Sequence, residues 1–137
     1  MKKKYKTGYT TGSFDMFHVG HLNILKKSKE LCDYLIVGVS TDELIEEYKN
    51  KKPVIPLEQR IAIVEAIKYV DKVVIQTTMD KFSMWENLHF DVIFHGDDWK
   101  GSDLYNKYIE EFTREKVDII FFPHTKGISS TLLRNEK

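Results

Sequence analysis

The run YLIVGVS at residues 34–40 constrains this chain more than any other stretch. It is nearly all apolar and of strand length, so both of its faces need cover, as in a parallel sheet lined by helices on each side. The rest of the chain alternates accordingly. KTGYTT (6–11), KVVIQT (72–77), DVIFHG (91–96) and VDIIFF (117–122) read as further strands. HLNILKKSKEL (21–31) sets Leu22, Leu25 and Leu31, with Ile24, on one helix face. STDELIEEY offers Ser40, Thr41 or Asp42 as the cap of a short helix. PLEQRIAIVEAIKYV (56–70) opens a helix with Pro56, while DKFSMWENLH (80–89) and SDLYNKYIEEFTREK (102–116) supply two more. ISSTLLRN (128–135) reads as a last helical turn or two.

With right-handed crossovers this order predicts a Rossmann-like, doubly wound α/β fold on a mostly parallel five-stranded sheet. No repeat, low-complexity run or linker interrupts it, so one domain spanning 1–137 is expected. Ligands of such sheets bind beyond the carboxyl ends of the strands. Chemistry is therefore expected in the loops GSFDMFHVGH, STDE, HGDDWKG and PHTKGISS.

Composition narrows the classes. Lys plus Arg number 21 and Asp plus Glu number 21, so no basic field argues for nucleic acid. The MKKKYK start leads into polar TGYTTG, unlike a secretory signal, and no apolar run has the length of a membrane span. A single cysteine, Cys32, where a helix meets a strand, excludes an internal disulfide and a multi-thiolate zinc site. A cytoplasmic protein is expected.

Of the loops, HVGH is the most informative. If a helix starts near His18, then His18 and His21 stand at i and i+3 on one face of its first turn. Unpaired amides and the positive dipole end favour an anion there. Gly20 lets a phosphate approach the backbone, and two imidazole donors would stabilise charge growing on its oxygens. Two plain helix-start histidines are the bland alternative. A metal site is the third, but i, i+4 is the better spacing for two ligands and no third ligand is evident, so no metal ligand is assigned.

GSFDMFHVGH resembles the strand–HxGH–helix signature of the nucleotidyltransferase superfamily. With HGDDW and HTKGISST, the latter usually RTxGIST in the family, the chain is similar to the cytidylyltransferases from about residue 7 to 134. In length and motif spacing it is nearest to members acting on glycerol 3-phosphate. The resemblance implies transfer of CMP from CTP to a small phospho-alcohol, giving CDP-glycerol and pyrophosphate with no covalent enzyme intermediate. It also implies Mg²⁺ with the CTP, a cell-surface polymer pathway, and a homodimer paired through KYVDKVV (68–74). Phosphocholine, phosphoethanolamine or another polyol phosphate are the rival acceptors. An aromatic cage for a cationic acceptor would draw on Tyr105, Tyr108 and Trp85. An ATP-using adenylyltransferase and a non-catalytic nucleotide-binding module are the remaining rivals.

The resemblance assigns roles residue by residue. His18 and His21 contact the CTP phosphates, and Ser13, Phe14 and Gly20 line the nucleotide site, while Asp15 orders its turn. Lys49 serves the acceptor phosphate and catalysis and Lys51 serves CTP, with Lys52 as a register alternative. Arg60 is either catalytic or a brace, and Lys81 is a further acceptor candidate. In HGDDW a carboxylate, Asp98 before Asp97, could accept from the exocyclic amine of cytosine or hold Mg²⁺ through water, and Trp99 could pack near the base; the alternative is a turn in which one Asp caps the next helix. His124, Thr125, Lys126, Gly127, Ile128, Ser129, Ser130 and Thr131 cradle the triphosphate. The chain departs from the family at His124, usually Arg, and Lys126, often Glu. Either residue could supply the charge of the absent arginine.

Overall fold

A computed structural model describes residues 5–78, 80–96 and 103–122. The elements in chain order are β1 (Tyr5–Gly12), α1 (Val19–Glu30), β2 (Cys32–Ser40), α2 (Asp42–Lys49), α3 (Leu57–Glu65), β3 (Lys72–Gln76), α4 (Lys81–Leu88), β4 (Val92–Gly96), α5 (Asp103–Arg114) and β5 (Asp118–Phe122). The strands form one five-stranded sheet in the order β3-β2-β1-β4-β5. Every pairing is parallel. The chain winds outward from β1 to β3, then crosses back to β4 and β5. The order thus switches between β1 and β4, which is where such sheets open a crevice at their carboxyl edge.

The period-2 alternation of strands sorts residues between two layers. Leu35, Val37 and Val39 of β2 and Phe94 of β4 pack with Leu25 of α1 and Val64 of α3 on one face. Ile36, Ile93 and Tyr9 face the other side, with Phe90 and with Tyr108 and Phe112 of α5, and α4 adds Phe82, Trp85 and Leu88. The continuous apolar run at 34–40 thus fills both layers. Leu35, Val37 and Val39 are wholly buried, each contributing roughly 1.5–3 kcal/mol. Cys32 is buried, with its Sγ 3.3 Å from the Ser28 carbonyl, a packing position.

The strands expected from sequence are all present, shifted at their ends by a residue or two. One helix is shorter than expected. The pattern over 56–70 continues to Val70, but α3 stops at Glu65 and the chain turns through bonds from Ile67 N to Val64 O and Val70 N to Ile67 O. Asp71 accounts for the break. Its carboxylate accepts from Leu35 N (2.8 Å) and from the Lys29 ammonium, so the chain must leave the helix to bring Asp71 to the start of β2. Ser40, a candidate cap, ends β2, and Thr41 caps α2 by accepting from Leu44 N at 3.1 Å.

Close approach at Gly38 holds β2 against the far layer. A Cβ there would sit 2.1 Å from the Tyr9 hydroxyl and 2.9 Å from its ring carbon Cζ. Gly38→Ala should therefore destabilise the protein by about 1–3 kcal/mol. Urea unfolding should show a lower midpoint with an unchanged m-value; an unchanged midpoint would mean that Tyr9 has room to move.

Candidate functional site

The segment from Ser13 to His18 joins β1 to α1 at the switch point. It includes two non-glycine residues in the left-handed region, Phe14 at φ 52° and Met16 at φ 50°. Such conformations cost about 1–3 kcal/mol each and persist only where the surroundings enforce them. Two anchors do so here. The Phe14 ring is buried, 6.2 Å from Phe17 and 5.5 Å from His21 between ring centroids. The Asp15 carboxylate accepts from Val54 N and Ile55 N, both at 2.8 Å. Asp15 therefore orders the 50–56 loop as well as its own turn. The Phe14 side chain supports the site from beneath rather than lining it, because it belongs to the α1–α3 core layer.

His18 is the N-cap of α1. Its Nδ1 accepts from Gly20 N at 3.0 Å, and His21 Nδ1 accepts from His18 N at 3.1 Å. The two imidazoles form a reciprocal capping box, with histidine in both the cap and the N3 positions. Their rings stack at 3.9 Å with planes 24° apart. The i, i+3 spacing does bring them together. The amides of His18 and Gly20, expected to meet the anion directly, instead bond to ring nitrogens. Since each Nδ1 accepts a hydrogen bond, each neutral ring carries its proton on Nε2. Burial lowers the His18 pKa. Burial, His18 and the nearby Lys49 together bring that of His21 down to about 3. At neutral pH the site therefore presents two uncharged Nε2–H donors.

Lys49 closes α2, whose left-handed C-cap Asn50 turns the chain away. Its ammonium lies 3.4 Å from the buried Ser13 hydroxyl, beside the imidazoles. Lys51 and Lys52 are exposed on the following loop. Arg60 is fully buried. Its Nε donates to Ile55 O (2.8 Å), Nη1 donates to Ser13 O (2.8 Å) and Ser40 O (2.7 Å), and Nη2 pairs with Asp42. Between catalysis and bracing, this geometry is that of a brace: the guanidinium is turned into the protein and ties together the ends of β1 and β2 and the 50–56 loop. Sequence reasoning took Asp42 only as a cap candidate. No local pattern signals a partner eighteen residues away.

Lys81 lies at the start of α4, on the opposite face of the sheet, buried beside His95 of β4. His95 was not singled out from sequence. The available signal was a lone imidazole inside the otherwise apolar run DVIFHG. The assignments to Asp97, Asp98, Trp99 and residues 124–131 lie outside the described residues. Among the described residues no group of three His, Cys, Asp or Glu side chains could hold a metal ion, and Asp15 and Asp42 are engaged as above.

An all-parallel, doubly wound sheet with paired imidazoles at its switch point defines a Rossmann-like α/β protein with a site suited to anions. The family follows from comparison. Residues 9–136 match the family described as cytidylyltransferase-like. The chain is 37% identical over 134 residues to the glycerol-3-phosphate cytidylyltransferase of Bacillus subtilis (strain 168), with 93% of each chain covered. It is 43% identical over 141 residues to the ethanolamine-phosphate cytidylyltransferase of Dictyostelium discoideum, covering 95% of this chain and 37% of that protein. Among solved structures it is similar to the lipopolysaccharide core biosynthesis protein from Thermoplasma volcanium GSS1. That match has a TM-score of 0.74 at 25% identity and covers 90% of this chain and 99% of that one. This chain belongs to the cytidylyltransferase-like family and is a nucleotidyltransferase.

The brace is testable apart from activity. Arg60→Lys keeps the charge, but one ammonium cannot span three backbone segments and Asp42. Losing donors to buried acceptors should destabilise by about 3–5 kcal/mol in urea unfolding. An unchanged midpoint with lost turnover would instead make Arg60 a group acting on substrate.

Proposed function

We propose that the chain transfers CMP from CTP to a small phospho-alcohol, glycerol 3-phosphate, releasing pyrophosphate and CDP-glycerol. The observation that carries this reading is the stacked pair His18 and His21, with two neutral Nε2–H donors at the head of α1 beside the switch point. The names of the relatives supply the nucleotide and the acceptor class.

A phosphate oxygen of the acceptor attacks the α-phosphorus of CTP as the bond to the β-phosphate oxygen breaks. Negative charge builds on the α-phosphate and on the departing pyrophosphate. His18 and His21 donate to those oxygens without themselves titrating, so their contribution is positional and electrostatic. Lys49, beside Ser13, brings a cation to the same point and is our candidate for the acceptor phosphate, with Lys81 on the far face. Lys51 answers to CTP from the mobile-length stem of an exposed lysine. Ser13 and Gly20 adjoin the nucleotide, and the loops at Asp98 and 124–131 complete its site by resemblance. Mg²⁺ would accompany the CTP and offset charge on its phosphates, with Asp98 our candidate to reach it through water. We place the enzyme in the cytoplasm as a single catalytic domain. Among the described residues no helix is long and apolar enough to cross a membrane. We also infer a homodimer pairing through 68–74, which runs into the edge strand β3 with its exposed Ile75.

A cationic acceptor finds little support in two of the three aromatic residues suited to a cage. Tyr108 is buried against Phe112, and Trp85 is tied through Nε1 to Phe90 O at 3.1 Å.

Pyrophosphate release should be fastest with CTP and glycerol 3-phosphate across a panel containing ATP, phosphocholine and phosphoethanolamine. His18→Ala and His21→Ala should each lower kcat by about 10²–10³-fold, and Lys49→Ala should raise KM for the acceptor more than for CTP. Preference for ATP, or for a choline or ethanolamine phosphate, would overturn the substrate reading. Near-normal kcat in either histidine variant would overturn that residue's role.

A further inference from the structure

β3 is an edge strand of the sheet, and the residue it buries most fully is polar. Gln76 is 1% exposed, while the rest of β3 is exposed or half-buried. A buried amide needs partners for both its oxygen and its nitrogen. The Thr78 carbonyl can only accept, so it takes the Gln76 Nε2–H. The amide oxygen therefore turns to Tyr9, whose hydroxyl donates to Oε1. β3 and β1 are not neighbours in the sheet. The two side chains meet across β2, over Gly38, whose lack of a side chain leaves the space. The Tyr9 ring is wholly buried and stacks on Phe90, 4.8 Å away with planes 10° apart.

The chain leaves β3 at the carboxyl edge of the sheet and turns into α4. That turn is exposed at Thr77 and Asp80, so burial contributes little to its order. Hydrogen bonds carry it instead, residue to residue. Thr78 is tied to Gln76 through its carbonyl, and its Oγ1 accepts from Asp80 N at 3.1 Å. Asp80 is the N-cap of α4, and its Oδ1 accepts from Phe82 N (3.1 Å) and Ser83 N (3.4 Å). Lys81 is the first residue of that helix. Gln76 thus connects a core residue of β1 to the turn that sets where Lys81 begins.

We propose that Gln76 is a positioning residue that, through the Thr78 carbonyl, fixes the turn before α4 and so places Lys81 for the phosphate of the acceptor. The inference rests on the reading of Lys81 as an acceptor contact and adds the residue that sets its place. The amide suits the task because it offers an acceptor to the interior hydroxyl and a donor to the surface carbonyl. A turn ordered before the acceptor arrives lowers the entropy that binding must offset. Loosening it weakens ground state and transition state alike, which raises KM and spares kcat. CTP is proposed to meet His18 and His21 on the other face of the sheet, so its KM should be spared as well.

Steady-state kinetics of the full chain, with CTP and the acceptor that the panel identifies, test the link. Gln76→Met is close in size and removes both hydrogen bonds, but it strands the Tyr9 hydroxyl in the core. Tyr9→Phe/Gln76→Met is the variant that keeps the fold, because both buried partners become apolar and the cost to stability is small. Both variants should raise the acceptor KM about five- to tenfold, with kcat and the KM for CTP within about twofold. In a Lys81→Ala background, Gln76→Met should add less than about twofold, because the contact it positions is already gone. If Tyr9→Phe/Gln76→Met keeps the parent acceptor KM, or if the constants for acceptor and CTP rise together, Gln76 only packs and the proposal is overturned. A full further rise in the Lys81→Ala background would also overturn it, since Gln76 would then act through another group. Lys81→Ala alone separates the two levels. If it raises the acceptor KM while the Gln76 variants do not, only the role of Gln76 falls. If it is silent, the reading of Lys81 falls and the proposal with it.

Discussion

The buried guanidinium of Arg60 is the interaction on which the site depends. A cation removed from water is costly unless its hydrogen bonds are replaced. Here the replacements are the carbonyls of Ser13, Ser40 and Ile55 and the carboxylate of Asp42. Those acceptors lie at the end of β1, the end of β2, the start of α2 and the loop before α3. One side chain thereby fixes the spacing of the segments that form the mouth of the crevice. Asp15 completes the frame by clamping Val54 and Ile55 to the β1–α1 turn.

Within that frame the turn can hold Phe14 and Met16 in left-handed conformations, and the imidazoles can spend their Nδ1 atoms on the backbone. Histidine performs two tasks at each position. Nδ1 caps the helix, and Nε2–H is the donor we propose for the phosphates. The low pKa of His21 suits this use, because a donor that stays neutral does not release or take up a proton as phosphate charge shifts. Lys49 lies beside the Ser13 hydroxyl on one face of the sheet, and Lys81 beside the His95 ring on the other.

Much of this was legible in the sequence, for identifiable reasons. YLIVGVS and its companions read as buried parallel strands because both faces of such a strand must be apolar. The pairing of His18 with His21 followed from helical geometry alone. What could not be read depended on distance along the chain. Arg60 looks the same in sequence whether it faces substrate or the distant carbonyls of Ser13 and Ser40. The helix pattern over 56–70 conceals the demand that Asp71 reach Leu35 and Lys29. The resemblance assigns Phe14 to the nucleotide site, yet its ring packs into the core. The link between Lys81 and His95 joins a helix start to a strand end and leaves no periodic trace.

The central claim is that His18 and His21 act as neutral Nε2–H donors locked by the capping box. Long-range proton–nitrogen NMR of the imidazole rings tests it most directly, with assignments from the single His18→Asn and His21→Asn variants. The account predicts that His21 keeps its proton on Nε2, with Nδ1 unprotonated, from pH 8 down to pH 5, and that His18 shows the same tautomer at neutral pH. A proton on Nδ1 of either ring at neutral pH, or titration of His21 near the ordinary histidine value of about 6.5, would contradict it.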